Sequence, residues 1–275
     1  MRIKISIIVF TLFLGSCALD QKLFLFDNCK FPINSPYPGG VLSIDINNKD
    51  FDRNKEINAE GLLSSICKNS LYQSKMFIPI PLDFKSKKIE IKQDGAVLSS
   101  SKIFNKNYRE SRITISNNDF VSPGEDLQPR IKREYGLSQA AKNTFTPIKL
   151  KDWAMTKPAK GLTSSEFGVR RFINNQPRNR HGGMDIAAPE GTEVLAPLSG
   201  EVIIASNFFY KGNVIYINHG AGLVSSYSHL SKIEVKNGDK VKKGDLIGLI
   251  GQTGRVTGPH LHWEVYLIGI AINPE

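Results

Sequence analysis

Residues 258–264 read Gly258-Pro259-His260-Leu261-His262-Trp263-Glu264, and the spacing of the two histidines decides how the C-terminal part of the chain is read. On an extended strand, residues two apart project from the same face. His260 and His262 would therefore stand side by side, with Leu261 turned the other way into a core. The sequence before this stretch has the same character. Gly191-Thr192-Glu193-Val194-Leu195-Ala196-Pro197 and Gly200-Glu201-Val202-Ile203-Ile204 are short apolar runs punctuated by glycine. Asn213-Val214-Ile215-Tyr216-Ile217 and Asp245-Leu246-Ile247-Gly248-Leu249-Ile250 add two more. They predict an all-β domain over residues 161–275.

Working outward, residues 17–120 also read as β-structure. Leu42-Ser43-Ile44-Asp45-Ile46 and Lys88-Ile89-Glu90-Ile91-Lys92 alternate apolar and polar residues, and Gly39-Gly40, Asn47-Asn48 and Asp94-Gly95 signal turns between such runs. Several short strands at this spacing predict a small sandwich-like N-terminal domain. Residues 121–160 change character. Glu125-Asp126 precede a run through Ile131, Tyr135, Leu137 and Ala140-Ala141, which predicts a short helix with acids at its start. Thr146-Pro147 and Lys157-Pro158 then break regular structure, so this segment is expected to connect two domains.

The chain has 275 residues, 40% hydrophobic and 23% charged, which excludes wholesale disorder. Its formal charge is +10 and favours residence on polyanionic surfaces. The lysines are scattered and no nucleic-acid-binding signature is present, so nucleic acid is not expected as a partner. Met1-Arg2-Ile3-Lys4 is a basic start, and Ile5 to Leu14 is an apolar run too short to span a bilayer comfortably. Leu14-Gly15-Ser16-Cys17 follows and resembles a bacterial lipobox. That resemblance implies that residues 1–16 are a signal peptide. It also implies that Cys17 carries a lipid anchor holding the protein to a membrane of the bacterial cell envelope. In an exported chain, Cys29 and Cys67 could form a disulfide or remain buried thiols, and the sequence leaves both open.

All five histidines, His181, His219, His229, His260 and His262, fall in about the last third of the chain. His181-Gly182-Gly183-Met184-Asp185 sets an imidazole and a carboxylate around two glycines that allow a tight bend. Tyr227-Ser228-His229-Leu230 carries a lone histidine after the run Leu223-Val224-Ser225-Ser226. Zinc takes imidazole nitrogen and carboxylate oxygen, and two histidines with one aspartate would supply three ligands and leave a position open. Two further histidines could handle protons beside it.

The H-x-x-x-D element, the later Ser-His-Leu and the H-x-H, in that order, resemble the LytM/lysostaphin-type peptidases of family M23. Ser165-Glu166-Phe167-Gly168-Val169-Arg170 and Gly183-Met184-Asp185-Ile186-Ala187-Ala188-Pro189 add to the likeness. The resemblance implies Zn²⁺ held by His181, Asp185 and His262. It implies His229 and His260 as the residues that activate water and stabilise the tetrahedral intermediate, with the base left open between them. It also implies a zinc endopeptidase that cuts peptidoglycan. The alternative within the same fold is a non-catalytic or latent regulator of other cell-wall hydrolases. His219 has no counterpart in the pattern and is expected to be structural. The pair Arg170-Arg171 could bind substrate carboxylates, but reads more simply as a solvated strand edge.

Overall fold

The computed structural model describes residues 22–25, 32–49, 51–52, 55, 57–68, 72–115, 118–147 and 154–275. The expected signal segment, Cys17 and Cys29 lie outside the described residues.

Period-two alternation builds two small sheets in the N-terminal half. Val41–Asn47 pairs antiparallel with Gln73–Pro79, which pairs with Ser65–Lys68, and Lys22–Leu25 runs parallel to the last of these. Ile57–Ala59, Lys88–Gln93 and Ala96–Lys102 form the second sheet. Asp94 and Gly95 join its hairpin with φ of 49° and 81°, both positive as a two-residue turn of matching twist requires. Leu42, Ile44, Ile46, Met76 and Ile78 on one sheet pack against Ile89 and Ile91 on the other. Each such side chain contributes roughly 1.5–3 kcal/mol through burial. The opposite face of the first sheet is buried too. Its Val41, Phe77 and Cys67 belong to the core of the C-terminal region. Cys67 is fully buried and disulfide-bonded, with its partner outside the described residues.

The C-terminal region is one large antiparallel sheet. Its strands run in the order Lys240–Val241, Gly200–Phe208, Gly212–Gly220, Leu223–Ile233, His260–Leu267, Met184–Ala187 and Leu162–Ser165. The pair Glu193–Leu195 and Leu246–Ile250 continues from Leu223–Ile233. One face buries Ile186, Ile215, Ile217, Tyr227, Leu261 and Trp263. The other buries Val214, Tyr216, Val224 and Tyr266, with Ala141 of the helix Gln128–Lys142 packed on them. The architecture is mostly β-sheet with one α-helix among the described residues.

The N-terminal segment and the connector each depart from the sequence expectation in one way. Glu110–Ile113 leaves the N-terminal sheets and pairs in parallel with Arg170–Ile173 of the C-terminal region. Glu125 and Asp126 sit in a 3₁₀ turn ahead of the helix rather than in its first turn. The helix turns Glu134, Ser138 and Ala141 inward and leaves Tyr135 and Leu137 exposed. Glu134 accepts hydrogen bonds from Arg130 Nε at 2.7 Å and from the backbone N–H of Phe209 at 2.6 Å, so a buried carboxylate docks the helix.

Candidate metal centre

Strand register makes the site. Met184–Ala187 and His260–Leu267 are antiparallel neighbours, with Asp185 opposite His262 and Ala187 opposite His260. Asp185 and His262 therefore project together from one face, while Leu261 is fully buried on the other. His181 is held just upstream by backbone bonds, its N–H to Val169 O and its carbonyl from Gly168 N–H. Gly183 serves this approach rather than a tight turn. It has no positive φ, but a Cβ there would lie 2.3 Å from Trp263 O.

The result is a small triangle of ligating atoms. His181 Nε2 lies 3.0 Å from Asp185 Oδ1, His262 Nδ1 lies 2.7 Å from the same oxygen, and the two nitrogens are 2.9 Å apart. All three residues are buried, and their ligating atoms lie within 4.8 Å of one another. Their protons are committed elsewhere. His181 Nδ1 donates to Glu166 O at 2.8 Å, which leaves Nε2 as a bare lone pair. His262 Nε2 is 3.4 Å from Glu264 Oε1, which can take the ring's proton on that side and leave Nδ1 to a metal ion. Three acceptors converging in a buried space repel one another unless a cation lies among them. The donor set therefore fits a metal ion.

The surroundings hold these ligands in place. Arg171 Nη2 donates to Asp185 Oδ2 at 2.6 Å, leaving Oδ1 for the triangle. Glu264, two residues beyond His262 on the same face, accepts from Ser226 Oγ at 2.7 Å and pairs with Lys211. Burial alone would raise the Glu264 carboxyl, yet Lys211 and His262 hold it well below the usual range. Burial would likewise raise Asp185, and the two neighbouring imidazoles hold it well below. Burial lowers His181 to about 4. It also acts to lower His262, but Glu264 and Asp185 outweigh it and raise that group.

His229 and His260 stand beside the triangle, their rings 4.9 Å apart. Both are fixed in one tautomer by backbone carbonyls. His229 Nδ1 donates to Thr253 O at 2.9 Å and His260 Nδ1 to Gly258 O at 2.8 Å, so in the neutral ring of each the lone pair is at Nε2. His229 lies within the strand Leu223–Ile233, which continues past the run Leu223–Ser226. The register with the neighbouring strand slips there, and its φ is +68°, a left-handed conformation inside a strand that redirects the side chain. Burial, then the charges of His262 and His260, push its pKa well down. His219 lies apart, donating to Ser199 O at 2.9 Å and accepting from Ser225 Oγ at 2.6 Å. Both its nitrogens are satisfied, in keeping with a structural role. Arg171 corrects the reading of Arg170-Arg171 as a solvated edge: Arg170 is exposed, while Arg171 turns inward to Asp185.

Comparison with known proteins gives this arrangement a family. Residues 179–274 match the model of Peptidase family M23. This segment is an M23 peptidase domain. Its M23 sequence is 46% identical over 116 residues to the peptidoglycan DD-endopeptidase ShyA of Vibrio cholerae, covering 42% of this chain and 27% of ShyA. It is also 46% identical over 113 residues to a protein of Buchnera aphidicola named as an uncharacterized metalloprotease, covering 41% of this chain and 30% of that one. The matched region thus spans less than a third of either relative. The likeness extends beyond the M23 domain in a crystal structure from Pseudomonas aeruginosa assigned to peptidase M23. It superposes with a TM-score of 0.66 at 29% identity, over 88% of this chain and 94% of that one.

Proposed function

We propose that the M23 domain is a zinc-dependent endopeptidase that hydrolyses peptide bonds in bacterial peptidoglycan. The observation that carries this reading is the convergence of three ligating atoms beside two histidines whose Nδ1 atoms are held by backbone carbonyls. In this reading His181 Nε2, Asp185 Oδ1 and His262 Nδ1 hold the zinc. The ion would supply Lewis acidity to the scissile carbonyl and to the attacking water. His229 and His260 divide the proton work. One accepts a proton at Nε2 from the water and passes it to the leaving amine. The other, once protonated, donates to the oxyanion of the tetrahedral intermediate. The carbonyls of Thr253 and Gly258 keep both rings aimed throughout. The relationship to a named peptidoglycan DD-endopeptidase supports the choice of substrate.

Purified peptidoglycan incubated with the full chain tests this reading, with released fragments identified by mass spectrometry. The native protein should release cross-link fragments and carry about one zinc per chain. His260→Ala should keep the metal and lose roughly 10²- to 10⁴-fold in rate. A zinc-loaded protein that releases nothing would sink the reading.

A latent enzyme is the second reading, favoured by one observation: Ser111 and Ile113 of the strand Glu110–Ile113, and Ile115 after it, line the same cleft as the metal centre. Ile113→Pro would loosen that strand, and a rise in activity would identify the end of the N-terminal segment as a brake.

Cys17, placed after the apolar run by Leu14-Gly15-Ser16, is proposed as the site of a lipid anchor that keeps the enzyme in the bacterial cell envelope. Cys17→Ser should abolish incorporation of radiolabelled palmitate and release the protein from the membrane fraction.

A further inference from the structure

The cleft over the metal centre has a volume of about 650 Å³ and is lined by more cations than anions. Two of its cations are already matched: Arg171 pairs with Asp185, and Lys211 with Glu264. Arg178, Arg180 and Arg255 are different. Among the described residues no carboxylate pairs with any of the three.

Neutral groups hold them instead. Arg178 Nη2 donates to Val121 O at 3.2 Å and to Gln176 Oε1 at 2.8 Å, while its Nε is buried with no partner. Arg255 Nη1 donates to Phe120 O at 3.4 Å, and the guanidinium lies 4.6 Å over the ring of Tyr210. Arg180 is exposed, 5.5 Å over Tyr108. The two half-buried arginines are thus positioned by the backbone carbonyls of Val121, at the start of the connector, and of Phe120 just before it. Burial disfavours the charge on Arg255; Tyr210 offsets this, but Arg171 and Arg178 add to it. Unneutralised guanidinium groups in a partly desolvated wall attract an anion strongly, and their forked donors match a carboxylate.

We propose that Arg178 and Arg255, with Arg180 at the rim, form a subsite for a carboxylate of the peptide being cut, so that the enzyme selects acidic peptides. This inference rests on the peptidase reading above and adds the substrate's charge to it. The carboxylate could come from a side chain of the peptide or from its free C-terminus.

The test uses the full zinc-loaded chain and synthetic cross-linked peptides in three forms: free acid, side-chain carboxylates amidated, and C-terminus amidated. Steady-state kinetics and calorimetric binding are measured for the native protein, for R178Q/R255Q and for R255K. One of the two amidations should raise KM roughly 10- to 100-fold with kcat little changed, and it names the source of the carboxylate. R178Q/R255Q should treat free-acid and amidated peptides alike, while R255K restores part of the discrimination. If native protein and double variant discriminate equally, or the native protein cuts all three forms equally well, the subsite is wrong and the peptidase reading stands. If nothing is cut but charge-dependent binding is present and vanishes in R178Q/R255Q, the subsite stands and the peptidase reading falls.

Discussion

The two halves of this molecule bury different chemistry. The N-terminal sandwich closes over Leu42, Ile44, Ile46, Ile78, Ile89 and Ile91, with only Ser65, Ser74 and Gln93 as buried polar side chains among its described residues. The M23 domain buries His181, Asp185, His229, His262 and Glu264 in one neighbourhood. An aliphatic core is held by area and shape, so truncating one member costs the contacts and leaves a cavity but strands no charge. A buried charge survives only beside a partner, so the residues of the second neighbourhood depend on one another. The two regions should therefore fail differently when single side chains are removed.

The largest contrast is expected at the ligands. Asp185→Ala should reduce zinc from about one ion per chain to near none and cut peptidoglycan release by at least about 10³-fold, read by elemental analysis and turnover. Stoichiometric zinc in that variant would mean the triangle is not the metal centre. Next comes Glu264→Ala, which strands Lys211 and frees the far side of His262. Denaturant unfolding should show a loss of about 3–5 kcal/mol, and metal affinity should fall roughly 10- to 100-fold. Ile78→Ala in the sandwich should cost about 3 kcal/mol through the cavity it leaves, with zinc per folded chain unchanged. A fall in zinc stoichiometry there would show that the packing of Val41, Phe77 and Cys67 into the C-terminal core carries the disturbance to the metal centre.

The smallest effect belongs to His219, buried in the M23 domain but away from the ligands. Burial lowers its pKa from 6.5 to about 4, so the folded state keeps it neutral while the unfolded chain takes up a proton below 6.5. The unfolded state then binds more protons, and stability falls as the pH drops from 6.5 towards 4. Between pH 7 and pH 5 this group should cost about 2 kcal/mol. Urea unfolding of His219→Gln should show a pH slope flatter by that amount, and an unchanged slope would mean that His219 is protonated in the fold.

Much of this was legible in the sequence because it is local. Period-two alternation marked Val41–Asn47 and Lys88–Gln93, and the same rule put His260 and His262 on one face. That rule extends to Glu264, two residues on, so the partner of His262 carried a signal of its own that went unread. Arg171 and Lys211 carried none. Each reaches its carboxylate across a distance in sequence, 14 residues to Asp185 and 53 to Glu264.

By itself the sequence determined which residues are extended, which face of each strand is apolar, and which side chains have the chemistry to bind a metal. Those properties follow from steric preference and side-chain type within a few residues. Only the tertiary structure decided that Asp185 stands opposite His262, that His229 takes a left-handed φ in a slipped register, and that the strand Glu110–Ile113 joins the wall of the cleft. Strand register and cross-chain pairing are set by the summed packing of a whole sheet, and no short stretch of sequence contains that sum.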